Sequence, residues 1–153
     1  MTVRAKIVGY CDWAVLNADA IHYAQIRPMP AVPRKLPLTT DCSGFVTLAY
    51  RYAGAPDPNG RGYDGYGYTG TLLDHGRKVS SPQPGDLIIF GNPPGRHVTV
   101  YLYTWHGAWV TCSHGFEGGP ILILNHREYL AQRVGFQVRR YLPDMTADEQ
   151  AKP

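Results

Sequence analysis

The stretch TTDCSGFVTLAYRYAGAP, residues 39–56, holds the decisive pattern. Phe45, Leu48, Ala49 and Tyr52 recur at helical spacing, so an amphipathic helix is expected over residues 43–53. Gly54 and Pro56 stop it, and Asp41 is placed to cap its start by accepting from an orphan backbone N–H. Cys42 then falls in the first turn, off the apolar stripe. Unpaired N–H groups and the helix dipole favour a thiolate there, and the thiolate is the nucleophile. Asp41 opposes this in part through its negative charge. Gly44 leaves space where something must approach closely.

Upstream, Ile7, Cys11, Ala14, Ala18 and Ile21 form one stripe, which predicts a helix over residues 4–25 with Cys11 as a small buried hydrophobe. Pro28, Pro30, Pro33 and Pro37 then impose an extended loop. Downstream, PDPNGRGYDGYGYTG (56–70) reads as a tyrosine-bearing loop facing substrate, followed by a short helix near 70–76. The second half changes period. GDLIIF (85–90), HVTVYLY (97–103), AWVTCS (108–113), ILILN (121–125) and FQVRRYL (136–142) are short strands between turn residues. In HVTVYLY, Val98, Val100 and Leu102 alternate with Thr99, Tyr101 and Tyr103, as in a half-buried antiparallel strand. Helices first and a meander of strands after them give an α+β fold, with the helices on one face of an antiparallel sheet of about five strands. The expected domain is residues 1–142, and 143–153 reads as a polar tail.

Composition limits the function classes. Of 153 residues, 44% are hydrophobic and 18% charged, a globular balance. The net charge of +3 comes from scattered basic residues, with no nucleic-acid motif behind it. No apolar run is long enough to span a membrane. Three cysteines argue against a disulfide framework, and the N-terminus lacks the apolar core of a classical signal peptide, so synthesis in the cytoplasm is expected. No HExxH or CxxC pattern supports a metal site, although a zinc set drawn from TCSHG, His97 and His126 is a rival, and no cofactor is expected.

A thiol nucleophile needs a base. His97 opens a strand, which fixes its backbone and leaves its ring at the rim. His114, ending the next strand, can lie beside it and orient the ring as a third member does in a triad. Thr111 and Ser113 are the alternatives for that place.

DCSGF, PGDLIIF and HVTVYL, in that order, resemble the NlpC-type cell-wall peptidases, small papain-like cysteine peptidases that cut peptidoglycan stem peptides. The resemblance covers roughly residues 20–115. It implies Cys42 as nucleophile, His97 as acid and base, a polar third residue near His114, and an upstream tyrosine at the oxyanion site, for which Tyr23 is the nearest match. It also implies cleavage next to D-glutamate and diaminopimelate. DCSGFVT, GYTGTLL and SHGFEGGP are similar, more narrowly, to peptidase domains of lysins and virion proteins of phages that infect mycobacteria and their relatives. That implies action on the wall after holin release or on a virion, with other virion proteins as partners. A non-catalytic tail, assembly or wall-binding module on the same scaffold is the alternative, and an acyltransferase on this fold is a further rival.

Overall fold

The computed structural model describes residues 1–115, 120–124 and 135–151, with the side chains of 121–124 left undescribed. Helix α1 spans Val3–Leu16 and is capped by the Thr2 hydroxyl, which accepts from the Ala5 N–H. Its stripe is buried at Ile7, Cys11 and Ala14 as expected. The helix stops nine residues short of the expected end. Asn17 turns its side-chain amide back to the Trp13 carbonyl at 2.8 Å, satisfying one of the orphan acceptors of the last turn. A 3-10 turn at Ala18–Ala20 follows, and then strand β1, Ile21–Tyr23. Ile21 is buried because β1 pairs in parallel with β2, Leu38–Thr40, and not because a helix face continues.

Helix α2, Cys42–Tyr52, lies at the centre of the molecule. Phe45, Val46, Leu48 and Ala49 are all buried, and the exposed Tyr52 marks the end of the stripe. An α2 with so few solvent contacts is held by packing rather than by propensity; Phe45→Ala would cost about 3–5 kcal/mol. Gly54, with φ +75°, turns the chain out of the helix. The Gly- and Tyr-rich loop that follows is anchored by the fully buried Asn59. Its amide donates to Thr47 Oγ1 of α2 at 2.9 Å, and its carbonyl oxygen accepts from Thr71 Oγ1 at 2.8 Å. Thr71 belongs to helix α3, Thr69–Leu73.

The second half forms the expected antiparallel sheet. β4 (Leu87–Phe90), β5 (His97–Trp105), β6 (Ala108–Ser113), β7 (Ile121–Leu124) and β8 (Phe136–Arg140) occupy the five expected segments. A short strand β3, Arg77–Val79, adds an edge, so the order among the described residues is β3-β8-β4-β5-β6-β7. The end of the fourth expected strand, residue 125, lies outside the described residues. One face of the sheet presents Leu87, Ile89, Val98, Val100 and Cys112 to the two long helices. The other carries a smaller apolar cluster of Ile88, Phe90, Tyr101 and Val138.

Asp86 of the GDLIIF segment ties the layers together. It is fully buried between Arg4 of α1 (3.0 Å) and Arg140 of β8 (2.9 Å), and it also accepts from the Gln83 N–H. Arg4 reaches on to the Pro143 carbonyl at 2.9 Å, so the polar C-terminal segment starts pinned to α1. Removing either arginine would leave a buried carboxylate short of a partner, a change that costs several kcal/mol in comparable settings.

Candidate active site

Cys42 is the first residue of α2, and Asp41 is the N-cap. Asp41 Oδ1 accepts from the Gly44 N–H at 2.8 Å. Gly44 is required by this cap and not by an incoming ligand: a Cβ there would stand 2.1 Å from Thr40 Oγ1 and 3.0 Å from Asp41 Oδ1. Arg27, from the proline-rich loop, completes the arrangement. Its guanidinium binds Asp41 Oδ2 at 3.0 Å and Ser43 Oγ at 3.1 Å, and its Nε donates to the Gly67 carbonyl at 3.0 Å. One side chain therefore joins the proline-rich loop, the start of α2 and the tyrosine loop, and it neutralises the acid beside the thiol.

Cys42 is 7% exposed, and its sulfur accepts from the backbone N–H of Val98, the residue after His97. Burial pushes the thiol up, and Asp41 adds to this. The N–H groups of Val98, Ser43 and Cys42 itself pull it down without overcoming burial. The helix start therefore supplies the expected donors, but the resting group is a thiol and not the thiolate that the helix dipole alone suggests.

His97 opens β5 opposite Phe90 and stacks on that ring at 6.2 Å. Burial pulls its imidazole down from 6.5 to about 4, and the nearby His114 contributes, so the ring is neutral near pH 7. Its Nε2 lies 2.8 Å from Ser113 Oγ on the neighbouring strand. Ser113 is fully buried.

His114 is fully buried but directed elsewhere. Its Nε2 donates to the Thr40 carbonyl at 2.9 Å, and its ring lies between Tyr23 and Phe45. Thr40 precedes the cap residue, so His114 holds the strand that leads into Cys42. Of the three residues weighed for the third place, Ser113 is the one bonded to the ring nitrogen of His97. Thr99 pairs with Ser113, so alternation puts His97, Thr99 and Ser113 on one face and Val98, Val100 and Cys112 on the other.

Tyr23, at the end of β1, is brought to the thiol despite its distance in sequence. Burial raises its hydroxyl, and so do Cys42 and Asp41, with the hydroxyl in hydrogen-bond reach of Cys42. Its ring rests on Gly115, where a Cβ would come within 2.3 Å of it. Arg27 was not legible as a site residue, because its role arises only when the loop folds back onto Asp41. Of the rival zinc set, His126 lies outside the described residues. Among those described, no group of three or more His, Cys, Asp or Glu side chains is placed to hold a metal ion. No helix among them is long and apolar enough to cross a membrane.

The sequence profile of the NlpC/P60 family matches residues 31–140, a span that contains Cys42, His97 and Ser113. The chain belongs to the NlpC/P60 family. No curated protein matches it. Among solved structures it is similar to an NlpC/P60 family protein from Bacillus cereus, with 20% identity and a TM-score of 0.60 over 92% of this chain and 40% of that one. It is also similar to the peptidoglycan hydrolase RipB of Mycobacterium tuberculosis, with 22% identity and a TM-score of 0.56 over 92% of this chain and 67% of that one. RipD of M. tuberculosis, a non-catalytic NlpC/p60 domain protein with an adaptation to peptidoglycan-binding function, shares 17% identity at a TM-score of 0.57 over 93% of this chain and 99% of its own. These likenesses show the NlpC/P60 fold. The family thus holds both hydrolases and a non-catalytic member, and the chain spans 40% of the B. cereus protein's length.

Proposed function

We propose that the protein is a cysteine peptidase that hydrolyses peptide bonds in peptidoglycan stem peptides. The observation that carries this reading is the thiol of Cys42 at a helix start, bonded to the N–H next to His97, whose far ring nitrogen is engaged by the buried Ser113. With Nε2–H donating to Ser113, His97 has Nδ1 as its basic nitrogen. Nδ1 takes the Cys42 proton as the sulfur attacks the peptide carbonyl. The Cys42 N–H and the Tyr23 hydroxyl receive the oxyanion; one such donor is worth about 3–4 kcal/mol in other hydrolases. The tetrahedral adduct collapses, and the leaving amine takes its proton from His97. Water then attacks the thioester with His97 as base, which releases the acid and restores the thiol.

Because thiol and imidazole both rest neutral, proton transfer accompanies attack instead of preceding it. Ser113 orients the ring, the role the sequence suggested for His114. His114 instead fixes the Thr40 carbonyl and through it the position of Cys42. The bond next to D-glutamate and diaminopimelate is the proposed target, following the resemblance of DCSGF, PGDLIIF and HVTVYL. The narrower likeness of DCSGFVT, GYTGTLL and SHGFEGGP supports a phage product, acting on the wall after holin release or as part of a virion. RipD, of nearly the same span, is the reason to keep a non-catalytic wall-binding module as the second reading.

The two separate at the acyl-enzyme. Acid quenching during turnover of a stem peptide, followed by peptide mapping, is expected to find the acyl group on Cys42. Cleavage with no adduct on Cys42, or binding with no cleavage, overturns the proposal.

A further inference from the structure

We propose that Arg96 binds a carboxylate of the substrate next to the bond that Cys42 attacks, so that peptides with a free acid there are preferred over their amides. This rests on the peptidase reading above and adds the charge of the substrate to it.

Arg96 directly precedes His97 and is exposed. Its N–H donates to the Phe90 carbonyl at 2.8 Å, so the backbone continues the β4–β5 ladder beyond its last residue pair. Alternation places Arg96 on the same face as Val98, and the Val98 N–H is the group that meets the Cys42 sulfur. The stem of Arg96 is seated on Gly91: a Cβ at Gly91 would lie 3.0 Å from Arg96 Cγ, and Gly91 has φ +90°. The side chain is thus supported at its base and open at its charged end.

Five of the described arginines hold acids, and three more, Arg34, Arg51 and Arg139, are engaged by aromatic rings, carbonyls or a side-chain amide. Arg4 and Arg140 hold Asp86, Arg77 holds Asp144, Arg61 holds Asp64, and Arg27 holds Asp41. Arg96 has no carboxylate within ion-pair distance among the described residues. The acid nearest the thiol in sequence, Asp41, is already matched by Arg27. The position next to His97 therefore carries an exposed positive charge that no described carboxylate pairs with.

Neutral groups flank it. Thr69 packs on Gly95, the neighbour of Arg96, where a Cβ would lie 3.1 Å from the threonine Cβ. Tyr66 and Tyr68, both half exposed, stand on the same segment. Gly67 between them is bonded to Arg27 at the start of α2. This segment links Arg27, which holds the start of α2, to Gly95 beside Arg96 without adding an acid. A γ-linked D-glutamate keeps its α-carboxylate free, and its α-amide has nearly the same shape. The two differ by one charge, which a guanidinium reads directly.

The test separates binding from turnover. The Cys42→Ala protein is titrated with L-Ala–γ-D-Glu–diaminopimelate bearing either a free or an amidated D-glutamate α-carboxylate. The free acid is expected to bind roughly tenfold more tightly, the scale of a charge-assisted contact at a partly screened site. Arg96→Gln in that background should bring the acid to the amide's affinity and leave the amide unchanged. Arg96→Lys should restore part of the preference, since it keeps the charge but not the fork. Equal binding of acid and amide, an equal loss of both in Arg96→Gln, or binding of neither overturns the assignment. Turnover of both peptides by the protein with Cys42 intact tests the peptidase reading. Selective binding without cleavage refutes peptidase activity and leaves Arg96 standing, whereas cleavage without acid preference does the reverse.

Discussion

Ser113→Ala removes one oxygen from a fully buried position and leaves the strand otherwise unchanged. In the structure that oxygen is 2.8 Å from His97 Nε2. With the proton on Nε2, as the proposed mechanism has it, its loss strands a ring N–H in a partly buried setting. Leaving such a donor unpaired costs about 1–3 kcal/mol. If the whole cost falls on the transition state, where the ring must hold its orientation and take up charge, kcat/KM drops roughly 5- to 150-fold. Because Ser113 acts through His97, the double variant His97→Ala/Ser113→Ala should be no worse than His97→Ala alone. The assay is turnover of a purified muropeptide by the two single variants and the double, with urea unfolding as a check on stability. His114→Ala behaves differently. It removes a buried ring packed between Tyr23 and Phe45, so it lowers stability by a few kcal/mol as well as activity. Full activity in Ser113→Ala, together with a loss in His114→Ala that no stability change accompanies, would refute the assignment of Ser113 as the orienting residue.

Four further expectations come from the same geometry. His97 works in its neutral form, and its folded pKa is about 4, so kcat/KM should hold down to about pH 5 and fall below 4; an acid limb centred near 6.5 contradicts this. The same displacement couples to stability. The unfolded chain binds a proton at about 6.5 and the folded chain only at about 4, so stability is full above 6.5 and falls by up to roughly 3 kcal/mol as pH drops through that window. His97→Gln should flatten that part of the pH–stability curve. Arg27→Gln leaves the nearly buried Asp41 without its cation at the start of α2, and the partial exposure of Arg27 limits the loss to about 1–3 kcal/mol in urea unfolding. Iodoacetamide should modify Cys42 well before Cys11 and Cys112, which are fully buried, although the raised thiol makes even Cys42 slow at neutral pH.

Features set by neighbours in sequence were legible in it. The cap at Asp41, the helix behind Cys42 and the turn residues between strands are all local, and each stands where expected; β5 is antiparallel as expected but not half-buried, because apolar clusters cover both of its faces from Val98 to Leu102. The errors arise where distant segments meet. Ile21 continued a helical stripe by coincidence, whereas its burial comes from pairing with Leu38. Strand β3 is three residues long with Arg77 and Lys78 exposed, as suits a sheet edge, and offers no apolar pattern to read. The choice between His114 and Ser113 turns on register, because a shift of one residue moves a side chain to the other face. The β5–β6 pair contains an irregularity between Tyr101 and Tyr103, so counting along the hairpin could not fix which of the two residues faces His97. The thiolate expected at Cys42 followed from helix-start donors alone; the burial that reverses it depends on the sheet packed over α2.

The proposed function stands or falls with cleavage of a stem-peptide bond by the thiol of Cys42. The direct measurement is mass spectrometry of a defined muropeptide after incubation with the intact protein and with Cys42→Ala. With the intact protein, two product fragments whose masses sum to the substrate plus one water are expected. With the folded variant, uncut substrate is expected, a rate difference of several orders of magnitude. Substrate left whole by the intact protein, or cut equally well without the thiol, rules out Cys42 as the nucleophile of a stem-peptide peptidase.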